Sequence, residues 1–243
     1  MSNSASKRSR GCPVSSVMSY TVEQIQQLEQ DIPTLVSIAE WTRKYLAMPH
    51  RDLGRTGPVC PYAPAALHKQ TLRIASIRLR TSDRKREIEH AVLSACDQLL
   101  AMQTGVREED ILHALLLVFP DVSLEDSPEL IDGTKEKLKA YFVSKGLMLG
   151  EFHLLNESPG LHNAEFRPLR SPIPMLALRR MVPNDFVFLN RPEDPAHLRA
   201  SYIRSYLSTH ESLSETDRLR AEAALAEAVI ASQLTGETAS NAF

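Results

Sequence analysis

The chain has 243 residues, of which 43% are hydrophobic and 24% are charged, and its net charge is −2 from 28 basic and 30 acidic residues. This length allows a full hydrophobic core without disulfides or bound metals, and the composition is that of an ordinary globular protein. A nucleic-acid-binding domain usually carries a broad basic surface. The balanced charge therefore predicts no nucleic-acid partner.

The cysteines and apolar runs bear on the cellular compartment. The three cysteines form no disulfide framework and favour a reducing compartment. The longest apolar run, residues 114–119, is far shorter than the ~20 residues that span a bilayer. The basic N-terminus lacks the apolar segment of a signal peptide. A cytoplasmic protein without membrane contact is therefore expected.

The first part of the chain is predicted to contain a tail, a helix and an irregular loop. Residues 1–20 are small, polar and basic, which favours a disordered tail. Apolar residues at helical spacing over residues 21–45 predict a helix that Pro33 breaks or kinks. Residues 48–64, MPHRDLGRTGPVCPYAP, hold four prolines and two glycines, and they predict an irregular loop.

The rest of the chain alternates strands and helices before it ends in helices. Strands are predicted over residues 72–79, 112–119, 147–153 and 175–179. Helices are predicted over residues 84–104, 127–146, 196–207 and 216–234, with a turn and a short helix over residues 182–189. A second proline-rich loop covers residues 158–174. Because both loops precede a strand, they are positioned to meet at one end of the sheet.

Together these elements predict an α/β (α+β) fold, with a small mixed central sheet of about four or more strands packed with helices and further C-terminal helices. A single globular domain is expected over residues 21–236. Residues 1–20 and 237–243 are expected to be flexible tails.

The first candidate site residue is Cys60, within the rigid segment GPVCPY. Thiolates bind soft metals and heme iron, and the nearby Arg51 and Arg55 favour the thiolate. Tyr62 completes a loop whose composition is typical of a site. A buried structural cysteine in a rigid turn is an equal alternative. Cys96 lies beside the apolar face of a predicted helix and is expected to pack in the core.

Two histidines and two arginines are the other candidates. His153 ends a predicted strand, where α/β folds tend to place site residues, and His162 follows nine residues later. Either histidine is a candidate metal ligand or a partner of Cys60 in nucleophilic catalysis, whereas for each one taken separately a hydrogen bond to a loop carbonyl is the favoured alternative. Arg167 and Arg170 suit a substrate carboxylate or heme propionates, or they pin the loop to carbonyls and acidic side chains.

Two segments carry a resemblance to known families: GPVCPYAP and residues 150–186, GEFHLLNESPGLHNAEFRPLRSPIPMLALRRMVPNDF. They resemble an uncharacterised bacterial family found near specialised-metabolite genes. The order of elements over residues 50–190 is also similar to the YqcI/YcgG family, which includes heme proteins that hydroxylate nitrogen of arginine-like substrates. That resemblance implies Cys60 as the axial thiolate and His153 over the heme or substrate. The chain departs from the family at Leu154, where a proline is usual, and in a longer spacing from His153 to the serine and arginine.

Three functional hypotheses follow. The first is a heme-dependent oxygenase that acts on a small amino-acid-like or guanidino substrate. Its expected site residues are Cys60 on the iron, Tyr62, Arg167 and Arg170 on the cofactor or substrate, and His153 and His162 near the reaction. The second is a non-catalytic interaction domain, with residues 194–234 as a partner surface and a homodimer among the expected assemblies. The third is a non-heme metal protein that uses the two histidines.

Overall fold

The computed structural model describes residues 21–236, and the two predicted tails lie outside this range. The chain divides into two compact units, Met1–Pro33 and Thr34–Phe243. The first helix, α1, covers Val22–Trp41 and contains Pro33, so the predicted break at this proline is absent. No helix within residues 21–236 is long and apolar enough to cross a membrane. The single domain expected over these residues stays a prediction.

The four strands form one mixed sheet, which confirms the predicted α/β class. The strands are β1 Leu72–Ser76, β2 Ala114–Val118, β3 Leu147–Phe152 and β4 Met175–Arg180. Their spatial order is β1-β2-β4-β3; β1 and β2 are parallel, and β4 is antiparallel to both of its neighbours. β1 is shorter than predicted: beyond Ser76, the backbone N–H of Leu79 donates to the Asp121 carboxylate at 3.0 Å and not to a neighbouring strand.

The helices after α1 are α2 Ala63–His68, α3 Arg84–Ala101, α4 Arg107–Asp110, α5 Gly133–Ser144, α6 Phe186–Leu189, α7 Ala196–Thr209 and α8 Glu215–Thr235. α3 begins as predicted, since the Asp83 carboxylate accepts a 3.2 Å hydrogen bond from the N–H of Arg86. α2 was not predicted, although its proline lies in the first turn, where a helix tolerates one.

The two faces of the sheet pack against different partners. On one face, β2 and β4 leucines pack with α3 and α5 around the fully buried Cys96, which confirms that this cysteine belongs to the core. On the other face, Val118, Phe152 and Met175 pack against Trp41 and residues of the second proline-rich loop. Burial against the sheet therefore fixes the end of α1 and this loop on the same face.

His210 is buried where α7 ends. Its side chain is 1% exposed, and its Nδ1 accepts a hydrogen bond from the Arg107 guanidinium. Burial, with the Arg107 charge adding to it, lowers the pKa of His210 to about 4. The imidazole is therefore uncharged in the folded protein at neutral pH.

This histidine should make the protein less stable in acid. The pKa of an unfolded histidine is ~6.5, so between that value and about 4 the unfolded chain binds a proton that the folded chain does not. The free energy of unfolding should therefore fall by roughly 2–3 kcal/mol from pH 7 to pH 4.5 through this group alone. His210→Asn keeps an acceptor for Arg107 and removes the titration.

Urea denaturation at the two pH values checks this expectation. The loss of stability should be smaller in His210→Asn than in the wild type. The exposed His68 provides the control, and His68→Asn should retain the full loss. Equal losses in all three proteins would show that His210 is not held neutral by the fold.

Candidate functional site

Loop 1, residues 47–62, is closed at its base by the backbone. The N–H of Cys60 donates to the Leu46 carbonyl at 2.8 Å, and the N–H of Val59 donates to Met48 at 2.9 Å. Pro49 and Pro58 form an isolated antiparallel β-bridge between the two ends of the loop. The two ends of the loop therefore lie side by side, and this fixes the position of Cys60 next to Leu46.

Loop 1 lies against loop 2, residues 153–174. The Asn163 side-chain amide donates to the Asp52 carbonyl at 2.8 Å, and the His50 ring stacks on Phe166 with centroids 4.7 Å apart. Gly54 has a φ of +76°, and a Cβ there would lie 2.5 Å from the His162 carbonyl oxygen. The predicted meeting of the two loops is therefore confirmed, and it depends on a position without a side chain.

Two glycine variants separate the contact between the loops from backbone strain. Gly57 also has a positive φ, +90°, but a Cβ there would meet only the Arg55 guanidinium at 3.5 Å. Gly57→Ala should cost about 1 kcal/mol of unfolding free energy, because a Cβ disfavours this backbone conformation. Gly54→Ala should cost roughly 2–3 kcal/mol or more, because the His162 carbonyl must also move.

Thermal or urea unfolding of the two variants measures the difference. Equal costs for Gly54→Ala and Gly57→Ala would contradict the close docking of loop 1 on loop 2.

A cleft of about 430 Å³ opens beside the docked loops. We call it the aromatic–arginine cleft, lined by Trp41, Tyr45, Leu154, Glu165, Phe166, Arg167, Arg170, Ser171 and Pro172. Trp41 ends α1, and a π-helical turn, Thr42–Leu46, carries Tyr45 to the same wall. Such turns are frequent at functional sites. The Tyr45 hydroxyl donates to the Pro168 carbonyl at 3.2 Å, which ties this wall to loop 2.

The two arginines of the cleft share one acidic partner. Arg167 Nε donates to Glu157 at 3.1 Å, and Arg170 binds the other oxygen of the same carboxylate. These bonds from Arg167 and Arg170 lower the pKa of Glu157. Arg170 Nε also donates to the Asn156 carbonyl at 3.1 Å. The predicted bracing of the loop by these arginines is confirmed, and each guanidinium has further N–H donors for a ligand.

His153 lies in the interior and does not line the cleft. It is 1% exposed, and its Nε2 is 2.9 and 3.1 Å from the two carboxylate oxygens of Asp132. Its Nδ1 is buried without a hydrogen-bond partner among the described residues. The partner is thus a carboxylate and not the loop carbonyl expected as the structural alternative. His162 is exposed on loop 2 and meets Gly54 through its backbone.

Cys60 is a free, half-buried thiol beside an ion pair that the sequence did not predict. Arg179 donates to both carboxylate oxygens of Asp185, at 2.7 and 2.6 Å. Burial of Arg179 opposes its charge, but its hydrogen bonds to the Asp185 carboxylate outweigh burial and raise the pKa of Arg179, with Cys60 and Tyr62 adding to the effect. Burial raises the pKa of Tyr62, and the Arg179 charge opposes that shift.

The two arginines expected to act on Cys60 have other partners. Arg55 donates to the Thr56 and Val59 carbonyls, each at 3.0 Å, so it braces loop 1. Arg51 is 90% exposed and lies 3.5 Å from Asp52. The guanidinium that interacts electrostatically with the thiol is that of Arg179, which is remote from Cys60 in sequence.

The cleft therefore unites only part of the predicted site. Arg167 and Arg170 line it, whereas the other predicted residues do not: Cys60, Tyr62, His153 and His162. Within residues 21–236 no three His, Cys, Asp or Glu side chains are arranged to hold a metal ion. Sequence reasoning missed the aromatic walls, although Trp41 and Tyr45 are four residues apart and so share one side of a helical segment.

Comparison with known proteins identifies one family. A family model described as Domain of unknown function (DUF6875) matches residues 35–219, a range that includes both loops and every residue of the cleft. No curated protein and no solved structure matches the chain.

Proposed function

This chain belongs to the Domain of unknown function (DUF6875) family, and we propose that it binds a small amino-acid-like or guanidino substrate in the aromatic–arginine cleft. One observation carries the proposal: aromatic rings, two guanidinium groups and a carboxylate line a single cavity of about 430 Å³. Small-ligand sites commonly measure ~300–1,000 Å³ and combine apolar walls with a few polar groups.

The arginines suit the carboxylate of such a substrate. Glu157 is the shared partner of Arg167 and Arg170, so one negative charge faces two positive charges. A guanidinium binds a carboxylate through parallel, charge-assisted hydrogen bonds. The bonds to Glu157 and to the loop carbonyls also hold both side chains in place before a ligand arrives, which lowers the entropic cost of binding.

The aromatic wall suits the cationic end. Trp41 and Tyr45 lie with ring centroids 5.4 Å apart, and Glu165 lines the same cleft. The face of an aromatic ring attracts ammonium and guanidinium groups, most strongly in tryptophan. The cleft thus offers separate positive and negative surfaces, which match a zwitterion better than a simple anion.

The second part of the proposal is that a heme held by Cys60 supports oxidation of this substrate. Favouring it is the half-buried free thiol of Cys60, because a cysteine thiolate is one of the axial ligands that proteins give to heme iron. A bound heme supplies oxygen activation. Cys60 does not line the aromatic–arginine cleft, so the cleft residues alone do not fit a heme on this thiol. Substrate binding is therefore proposed independently of heme.

Trp41 gives a direct test of the cleft, because it is the single tryptophan of the chain. L-Arginine and its decarboxylated form, agmatine, should each change the tryptophan fluorescence to a saturable limit. Arg170→Gln should weaken L-arginine binding by about tenfold, since it removes charge-assisted bonds to the carboxylate. The same variant should leave agmatine binding unchanged.

The exposed Arg204 gives a matched control, and Arg204→Gln should bind both compounds as the wild type does. The absence of any saturable fluorescence change with the standard amino acids and their guanidino analogues would contradict the proposed cleft.

Absorption spectroscopy tests the heme. Protein expressed with a supply of heme should show a Soret band and, when reduced under CO, the red-shifted band of a thiolate-ligated heme. Cys60→Ala should lose that signature and Cys12→Ala should keep it. A protein that stays colourless after heme titration would contradict the oxygenase hypothesis, whereas the fluorescence test of the cleft would be unaffected.

A further inference from the structure

A second cavity, of about 260 Å³, lies at the other ends of β3 and β4. Gly146 and Arg180 line it, and the paired residues Leu147 and Arg180 mark that end of the two strands. The aromatic–arginine cleft lies beyond the opposite end, where Phe152 pairs with Met175. Strands rise ~3.4 Å per residue, so about 17 Å separates the two ends.

Two arginines make this second cavity positively charged. Arg107, from α4, and Arg180, from β4, both line it, together with Asp110, Thr209 and His210. We call it the basic pocket. Its residues come from α4, β4 and α7 and from the segments between elements, so the folded domain and not a local motif assembles it.

Arg180 has few interaction partners among the described residues. Its guanidinium forms no hydrogen bond with the described residues, and its nearest carboxylate oxygen, on Asp110, is 3.7 Å away. The other oxygen of Asp110 accepts bonds from Thr104, at 2.7 Å from its N–H and 3.1 Å from its hydroxyl. Burial opposes ionisation of Asp110, but these bonds and the Arg180 charge together lower its pKa. Asp110 is thus a stable carboxylate that leaves the N–H groups of Arg180 available.

Arg107 is held by neutral groups. It donates to the Ser212 hydroxyl at 3.2 Å and to Nδ1 of the buried His210. A ring nitrogen that accepts a hydrogen bond carries no proton, so this imidazole is uncharged and offsets none of the charge of Arg107. The pocket therefore holds two guanidinium charges against one carboxylate. Arg179, by contrast, is bound through two nitrogens by Asp185.

We propose that the basic pocket binds a small oxyanion of the phosphate or carboxylate type, held between Arg107 and Arg180. Guanidinium groups form short, parallel hydrogen bonds with both kinds of anion. The volume of about 260 Å³ suits a phosphate, a phosphate monoester or a short dicarboxylate better than a nucleotide. This site is separate from the substrate cleft, since no residue lines both cavities.

Calorimetric titration of the full chain tests the pocket, with inorganic phosphate and succinate as separate probes at ionic strength kept constant with chloride. At least one probe should bind saturably. Arg180→Gln should weaken that binding by about tenfold or more, and Arg180→Lys, which keeps the charge but not the paired donors, should weaken it less. The preferred probe distinguishes a phosphate ligand from a carboxylate ligand.

Two further variants control the experiment. Arg204→Gln removes an exposed charge elsewhere and should bind the probe as the wild type does. Arg107→Gln, checked for folding by its melting temperature in chloride, should weaken binding as Arg180→Gln does. The proposal is overturned if neither probe binds, if both pocket variants bind normally, or if Arg204→Gln weakens binding as much as the pocket variants do.

Discussion

The docking of loop 1 on loop 2 depends on the missing side chain of Gly54. A Cβ at this residue would lie 2.5 Å from the His162 carbonyl oxygen, closer than two such atoms approach in a folded protein. Because the loops meet here, His50 can stack on Phe166 and Asn163 can reach the backbone of Asp52. Phe166 is then presented to the aromatic–arginine cleft, and the sheet and helices act as a frame that holds both loops.

The same frame separates three chemical environments. The aromatic–arginine cleft lies beside the docked loops, the basic pocket lies beyond the other ends of β3 and β4, and Cys60 sits beside the ion pair of Arg179 and Asp185. Asp185 also acts electrostatically on His210, so the ion pair near the thiol is an electrostatic neighbour of the basic pocket.

Local patterns in the sequence predicted most of the fold. β2 can be recognised in the sequence because its residues are apolar on both faces. α3 can be recognised from the Asp83 cap and the spacing of its apolar residues. The prolines marked both loops as irregular, but they also concealed α2, since a proline in the first turn does not stop a helix. The end of β1 was missed because it depends on a side chain, Asp121, from another part of the chain.

The site was less predictable because its contacts join distant residues. Asp52 and Asn163 are 111 residues apart, and His153 and Asp132 are 21 apart; no periodicity or motif encodes either pair. Native-state hydrogen exchange tests the docking of the loops most directly, through the amide of Cys60 in loop 1 and that of Gly160 in loop 2, which donates to the carbonyl of Phe166 at 2.9 Å. The two should show the same opening free energy and the same dependence on urea, because one event exposes both. A Gly160 amide that exchanges orders of magnitude faster than that of Cys60 would contradict the docking.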